Sequence, residues 1–432
     1  GEGQPLCALQ IVADRLPFQE IFDWFWQKRW GEYASASWNV DPQAEIALHL
    51  EGPLLNPNIE AHFGANAAQA LVTAKDSRFP GGLLRFGLVE ASWNSATSTP
   101  RAAFTILDGA LEHERTGVAA NEISGTVFLD GTRVSVKPLT GLINGGPFIG
   151  SGSYDLGTKA GQGTVAATLD RIENTPLGNA IKNVDLSGTA SVNLQLTAED
   201  GQYQATGLID ATHLTVGYRW WFMKPPGVGL KANVRAQLLP RKKISLRADV
   251  NALQTEGRAE YLLAHDVTRW RLSSIQADFD TVDILTWGRC LRVPYSVTGG
   301  KATDVVYQWR RGEADGASAL ASAKCRIDEV GLLAKNAVQP IRGKGIVLEA
   351  ILSTGRENTA HVDLSASQCW TPPLGSPWFA PLDIDPELRA KYPPVKRTYF
   401  YMLSFDAIEA PPWNGTTFTG RAVTDAETTV LE

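Results

Sequence analysis

Along most of this chain, apolar and polar residues alternate one for one. EIALHLE sets Ile46, Leu48 and Leu50 against Glu45, His49 and Glu51, and TVAATLD sets Val165, Ala167 and Leu169 against Thr164, Thr168 and Asp170. ASVNLQLT does the same with Val192, Leu194 and Leu196 against Ser191, Asn193 and Gln195. In LKANVRAQL, Leu230, Val234 and Leu238 oppose Lys231, Asn233 and Arg235, and in ISLRADV, Ile244, Leu246 and Val250 oppose Ser245, Arg247 and Asp249. HVDLSA repeats the pattern with Val362 and Leu364 against His361 and Asp363. Successive side chains of a strand point to opposite faces, so a period of two predicts half-buried strands with one wet face. One wet face is the mark of an antiparallel sheet. Turn signals (EDGQ, LDGT, LPRKK, STGREN) separate the runs, which predicts a long meander, mainly β and poor in helix.

The apolar faces are built largely of Ala and Val. A two-layer sandwich needs larger side chains to fill a core about 10 Å thick, so an ordinary sandwich is not the expected architecture. Three segments break the alternation: ADRLPFQEIFDWFW (13–26), ATLDRIENTPLGNAI (167–181) and ADFDTVDILTWGRC (277–290). In each, a strand ends in an Asp (Asp14, Asp170, Asp280) and a short helical spacing follows. The Asp is expected to cap the helix or turn. Residues 370–396 are Pro-rich and predict an excursion before strand character resumes at RTYFYMLSFDAI. The resulting division is 1–123, 124–369, 370–396 and 397–432, the last stopping in mid-pattern. The opening GEGQPLCALQIVAD, with neither Met nor a basic leader, reads as the start of a processed segment.

Composition removes several function classes. The formal charge of −6 is spread without a basic stripe, so nucleic acid is not an expected partner. Cys7, Cys290, Cys325 and Cys369 form no CxxC pair and no Cys/His cluster, which argues against a structural zinc site. No metal and no cofactor is expected. No apolar run reaches the length of a membrane-spanning helix. No GxSxG elbow is present, and the six histidines are dispersed. GGKAT (299–303) lacks the Ser or Thr and the upstream glycine of a phosphate loop, so a turn is expected there. Asn414-Gly415-Thr416 matches a glycosylation acceptor, a pattern common by chance. The aromatic clusters WFWQKRW (24–30) and YRWWFM (218–223) stand out. The first reads as a helix face packed on the sheet, and either could instead touch lipid or close an apolar groove, since Trp and Tyr suit boundaries between apolar and wet surroundings.

GLINGGPFIGSGSYDL (141–156) has five glycines but neither the Lys nor the helix start of a phosphate cradle. Its glycines are expected at turns and kinks between strands 132–139 and 147–156. The order around it runs strand, strand, Gly145-Gly146 turn, apolar strand with Phe148, G-x-Y-D-L (Gly152 to Leu156), alternating strand, Asp-Ile turn and L-S-G-T strand. With HLEGPLLNPNIEAHF (49–63), this order resembles the repeats of the AsmA-like proteins, the superfamily that includes TamB, over most of the chain to about residue 370. The resemblance implies a long, curled antiparallel sheet forming an open groove with a few short amphipathic helices. It also implies a periplasmic location, an N-terminal helical anchor in the inner membrane, and transfer of phospholipid or another lipid toward the outer membrane. Membrane proteins of both membranes would meet the groove ends, and no catalysis is implied. The apolar sets named above, from Ile46 to Leu364, would line the groove. Two rival readings stay open: an envelope-assembly module that pairs its sheet edges with other strands, and a carbohydrate-active enzyme with two carboxylates in a Trp-lined cleft.

Overall fold

The computed structural model describes residues 6–14, 34–40, 45–53, 58–74, 81–96, 99–113, 118–174, 184–200, 202–219, 222–239, 243–253, 255–265, 270–292, 295–312, 319–334, 340–354, 359–370, 398–409, 416–424 and 429–431. The chain is mainly β and mostly antiparallel, with few helical turns. It divides into two compact units, residues 1–180 with 187–207 and residues 181–186 with 208–432. All six quoted alternating runs are strands: β3 (Glu45–Pro53), β11 (Ala160–Leu169), β13 (Ala190–Glu199), β17 (Leu230–Leu239), β18 (Lys243–Ala252) and β25 (Thr359–Ala366).

In the first unit, β1 (Leu6–Asp14) pairs with β3, and β3 with β4 (Asn58–Ala65). The long strand β6 (Gly81–Asn94) takes β4 along its C-terminal half and β5 (Ala68–Ala74) along its N-terminal half, and β2 (Ala34–Val40) pairs with β5. The meander then continues through β7 (Thr99–His113), β8 (Val118–Asp130), β9 (Arg133–Ile143), β10 (Gly146–Asp155), β11 and β13. Register breaks fall at 85–88 in β6, at 121–126 in β8 and at 150–152 in β10. Each bulge bends and twists its strand locally. Phe86, Val89, Ile106 and Ile123 are buried together with Ala65, Ala68 and Ala70. Leu111, Ala120, Phe104 and Val127 pack on the same cluster, so this part of the apolar face is filled by its own side chains.

The glycine-rich stretch resolves in detail. Asn144 (φ 49°) and Gly145 (φ 89°) form the two-residue turn between Ile143 and Gly146, which pair. Asn-Gly with both φ positive is the preferred hairpin turn because its twist matches that of the strands. The flanking strands run 133–143 and 146–155, close to the expected spans.

The strand β14 (Gln202–Asp210) follows β13 across the division between the units. In the second unit, β17 and β18 are followed by β19 (Thr255–His265), β20 (Trp270–Asp283), β22 (Lys301–Arg311), β23 (Ala319–Ala334), β24 (Ile341–Thr354) and β25 in one antiparallel ladder. The short β26 (Gln368–Trp370) also pairs with β24. Both β25 and β26 then pair in parallel with β27 (Thr398–Glu409), and β28 (Thr416–Thr424) and β29 (Thr429–Leu431) continue antiparallel. A parallel pair cannot be joined by a hairpin. The Pro-rich stretch falls at this connection, and residues 371–397 lie outside the described residues. A small sheet of β12 (Val184–Gly188), β15 (Leu214–Tyr218) and β16 (Phe222–Lys224) accompanies the ladder.

Two local expectations are corrected. GGKAT is not a hairpin turn: β21 (Tyr295–Gly299) and β22 both run along β23, with a register shift at each, so Gly299 and Gly300 mark a kink within one long strand. The helix cap at the third strand-to-helix unit is Asp283, not Asp280. Asp283 accepts from the amides of Leu285 and Thr286 at the head of the five-residue helix Ile284–Gly288. Asp280 is still inside β20, three residues before the backbone leaves the ladder. Asp170 does stand at a turn, accepting from the Arg171 amide before the short 3-10 turn Ile172–Asn174. The aromatic cluster 24–30, the segment after Asp14 that is expected to be helical, Trp220, Trp221 and Asn414-Gly415 lie outside the described residues.

Candidate functional site

Directly opposed residues of paired strands share a face, so the registers show how far each apolar face extends. In the first unit, Ile46 opposes Phe63, and the row continues through Ala91, Ala102, Leu129, Val134 and Tyr154 to Gly161. Leu48 opposes Ile11 and Ala61, and Leu50 opposes Leu9 and Ile59. Val165 opposes Leu194, Ala167 opposes Val192, and Leu196 opposes Gly163. Gly163 in turn opposes Gly152 and, through it, Val136. All nine first-unit positions, Leu169 included, therefore lie on one face. Their surroundings differ. Ile46 packs on the buried cluster around Phe86, whereas Leu196 remains 38% exposed.

The second unit carries the longer uninterrupted band. One row runs Val234, Ala248, Ala259, Ala277, Tyr307, Ala323, Ala350 and Val362, crossing eight successive strands. Two residues along each strand, a bulkier row runs Leu246, Tyr261, Ile275, Trp309, Ala321 and Leu352. On the other side lie Val250, Gly257, Phe279 and Val305, then Cys325, Leu348 and Leu364. Val234, Ala248, Ala259 and Ala277 are buried between these rows, while Leu246, Tyr261, Ile275 and Trp309 keep part of their surface open. Leu238, which opposes Ile244, is 39% exposed. Leu230 lies at the end of the face, opposite Ala252. Small residues thus form the middle row of an apolar band, with mostly larger side chains in the rows beside it. Spaced at ~4.8 Å per strand, eight strands give the band a length of about 34 Å.

The opposite face of the same strands is polar and self-paired. Arg247 meets Glu260 at 2.5 Å, Arg258 meets Asp249 at 3.0 Å, and Lys324 pairs with Glu349, all well exposed. Exposed pairs of this kind each contribute at most about 1 kcal/mol. They keep one face wet and fix which face is left for apolar contact.

In the first unit, the polar face is hollowed into a concavity of about 1330 Å³ that holds Glu45, His62, Glu90, Arg101 and Asp130. Arg101 is paired with Asp130 at 3.1 Å, and the lining includes Phe128 but no Trp. The Trp-lined carboxylate cleft of a carbohydrate-active enzyme is not what this concavity presents. Among the described residues, no group of three or more His, Cys, Asp or Glu side chains comes together as a metal site, and no helix is long and apolar enough to cross a membrane.

One functional-looking group gives no sequence signal. Lys224 is 2% exposed, and its Nζ donates to the carbonyls of Leu214, Thr212 and Ala211 at 2.7, 3.0 and 3.1 Å, with Pro225 at 3.3 Å. Burial pushes its ammonium below the ordinary lysine value, and burial likewise pushes the neighbouring Cys290 thiol up. An ammonium surrounded by carbonyls is a structural pin. It ties the turn at 211–214 to the base of the β15–β16 hairpin. That hairpin is pinned again by the Met223 amide donating to the Cys290 carbonyl and by a 6.0 Å contact between the Phe222 and Trp287 rings.

No protein-family model, no curated protein and no solved structure matches this chain.

Proposed function

We propose that this chain is a non-catalytic lipid-binding module of AsmA-like type. In this reading the sheet is curled as an open groove whose apolar face shields phospholipid or other acyl chains in transit through the periplasm. The observation that supports this reading is the second-unit apolar band, which crosses eight strands with its larger side chains part-exposed. A buried core would close such a band with large side chains from a second layer. Transferring a 16-carbon chain to water costs on the order of 12 kcal/mol at ~0.8 kcal/mol per CH₂, and a continuous apolar face removes that barrier without any reaction. Small residues flanked by bulky ones suit a thin linear chain better than a helix or a strand, which are about 10 Å across. Tethering to the inner membrane and hand-over to proteins of both membranes complete the proposal.

A second reading keeps one observation of its own. Among the described residues β1 pairs with β3 alone, and along it Leu9, Ile11 and Val12 are exposed. An exposed apolar edge strand is a template for pairing with another chain, as an envelope-assembly module would require. Mass spectrometry of the purified chain decides between the readings. Stoichiometric acyl lipid supports transfer, and a lipid-free protein that adds strands to a partner supports assembly.

A further inference from the structure

Where β24 exchanges one partner for another, the second unit holds a cavity of about 550 Å³. The later part of β24 pairs with β25 and its first residues pair with β26. The change falls at Gly345, whose φ is 57°. The Ser367 amide and hydroxyl both donate to the Lys344 carbonyl, at 3.0 and 2.9 Å, and fix the backbone there. Arg342 and Lys344 lie two residues apart on β24, so their α carbons are about 6.6 Å apart on one face. Trp370 stands directly opposite Arg342 and Gln368 opposite Lys344, while Glu329 opposes Lys344 from β23. These five side chains line the cavity together with Cys369. Burial pushes the Cys369 thiol up, so it adds no negative charge. Two bases therefore face one acid. Elsewhere on this ladder Arg247, Arg258 and Lys324 each have a carboxylate across the strand. Here Lys344 meets Glu329 only at 3.8 Å, both well exposed, and among the described residues the Arg342 guanidinium has no acceptor.

We propose that this cavity binds a phosphate monoester, with Arg342 and Lys344 on the phosphate and Trp370 beside the organic group. A monoester carries about two negative charges near neutral pH and three acceptor oxygens. Arg342 presents a planar fork that takes two oxygens at once, and Lys344 is a point charge for the third. A carboxylate, with one charge and two oxygens, is satisfied by Arg342 alone and leaves Lys344 to Glu329. The Gln368 amide and the Trp370 indole N–H are further donors in the same lining. The volume falls within the roughly 300–1,000 Å³ of small-molecule sites and is larger than a bare phosphate fills, which leaves room for an organic group against the indole. Glu329 is the internal competitor, holding Lys344 when the cavity is empty and giving it up to the ligand. Soluble phosphate esters and the headgroup of a phosphatidate share this chemistry, and the site does not depend on the lipid reading of the apolar face.

The test is calorimetric titration of the full chain at low salt with inorganic phosphate, phenyl phosphate, benzoate and monomeric dihexanoyl phosphatidate. Wild type is expected to bind phenyl phosphate more tightly than inorganic phosphate or benzoate. Arg342→Ala lowers that affinity at least about tenfold, since a charge-assisted pair is lost. Arg342→Lys recovers only part of it, because the charge returns without the fork. Glu329→Gln tightens binding several-fold by freeing Lys344, an effect opposite in sign to that of a damaged fold. Trp370→Leu weakens phenyl phosphate and leaves inorganic phosphate unchanged. Both orders of the two ester probes support the site: tighter phosphatidate assigns it to a lipid headgroup, and tighter phenyl phosphate to a soluble ester. Absence of binding by every phosphate probe, or binding unchanged in both Arg342→Ala and Glu329→Gln, overturns the site. Either of those results leaves the lipid reading standing, since that reading concerns the apolar face.

Discussion

Thr255 and Trp287 meet at the end of the β18–β19 hairpin: the indole Nε1–H donates to Thr255 Oγ1 at 2.9 Å, and Thr255 is wholly buried. The bond joins the short helix 284–288 to the margin of the apolar face, next to Ala252. Thr255→Val keeps the shape but leaves the indole without its acceptor, a loss of about 1–3 kcal/mol. Urea unfolding is expected to show a lower midpoint for Thr255→Val, with Thr255→Ser close to wild type. An unchanged midpoint for the valine variant would remove this bond from the stability of the unit.

The Asn-Gly turn separates conformational strain from collision. Gly145 has φ 89° with nothing within 4 Å of where a Cβ would stand, so Gly145→Ala is expected to cost about 1–2 kcal/mol from backbone strain alone. Gly145→Asn recovers part of that, because Asn tolerates the left-handed region. At Gly146, a Cβ would stand 1.8 Å from the Thr168 carbonyl oxygen. Gly146→Ala therefore forces β10 away from β11 and is expected to be the most damaging of the three. Thermal melts are expected to place Gly145→Asn highest, Gly145→Ala below it and Gly146→Ala lowest, and the reverse order refutes the assignment.

Asp210 supplies a pH dependence. The Thr212 hydroxyl and amide, and then the Lys231 ammonium at 2.9 Å, hold its carboxyl at about 2 against an ordinary 3.8. A carboxylate with a depressed folded value contributes stability that is present above the unfolded value and lost as pH falls through the folded one. Stability is thus expected to drop between pH 4 and about 2, by on the order of 1 kcal/mol from this group once solvent screening is allowed for. Asp210→Asn flattens that slope in urea titrations run across the window, and an unaltered slope counts against the assignment.

The two faces of the second-unit ladder make opposite predictions. If the apolar face holds lipid as proposed, Ile275→Asp, which sets a carboxylate between Tyr261 and Trp309 on that face, is expected to reduce co-purified lipid several-fold, since a charge left in apolar contact is strongly disfavoured. Arg247→Ala on the wet face breaks the exposed pair with Glu260, changes stability by at most about 1 kcal/mol, and leaves lipid content unchanged. Lipid-to-protein ratios from extraction and mass spectrometry check both, and equal loss in the two variants would show that the apolar face is not the binding face.

Local alternation was sufficient to assign a face to every strand it touched. Leu194 and Leu246 face the apolar side because their neighbours one residue away do not, and side-chain direction in a strand is a property of the strand itself. The Asn144-Gly145 hairpin was legible for the same reason, since the preference for positive φ resides in those two residues. Pairing is not local, and there the pattern carried no signal. GGKAT has the composition of a turn, but β21 and β22 both find partners along the long strand β23, so the two glycines become a kink. The helix cap moved from Asp280 to Asp283 because β20 stays hydrogen-bonded to β22 as far as Asp283. The parallel pairing of β25 with β27, the collapse of the first unit's apolar face into a core around Phe86 and Ile106, and the carbonyl cage of Lys224 each join residues with no pattern between them. The apolar side of each strand is therefore written in its own few residues, because the pleat converts spacing directly into direction. Which strands lie side by side is set by long-range hydrogen bonding and by bulges, and these decide where the face fills with side chains and where its larger side chains stay part-exposed.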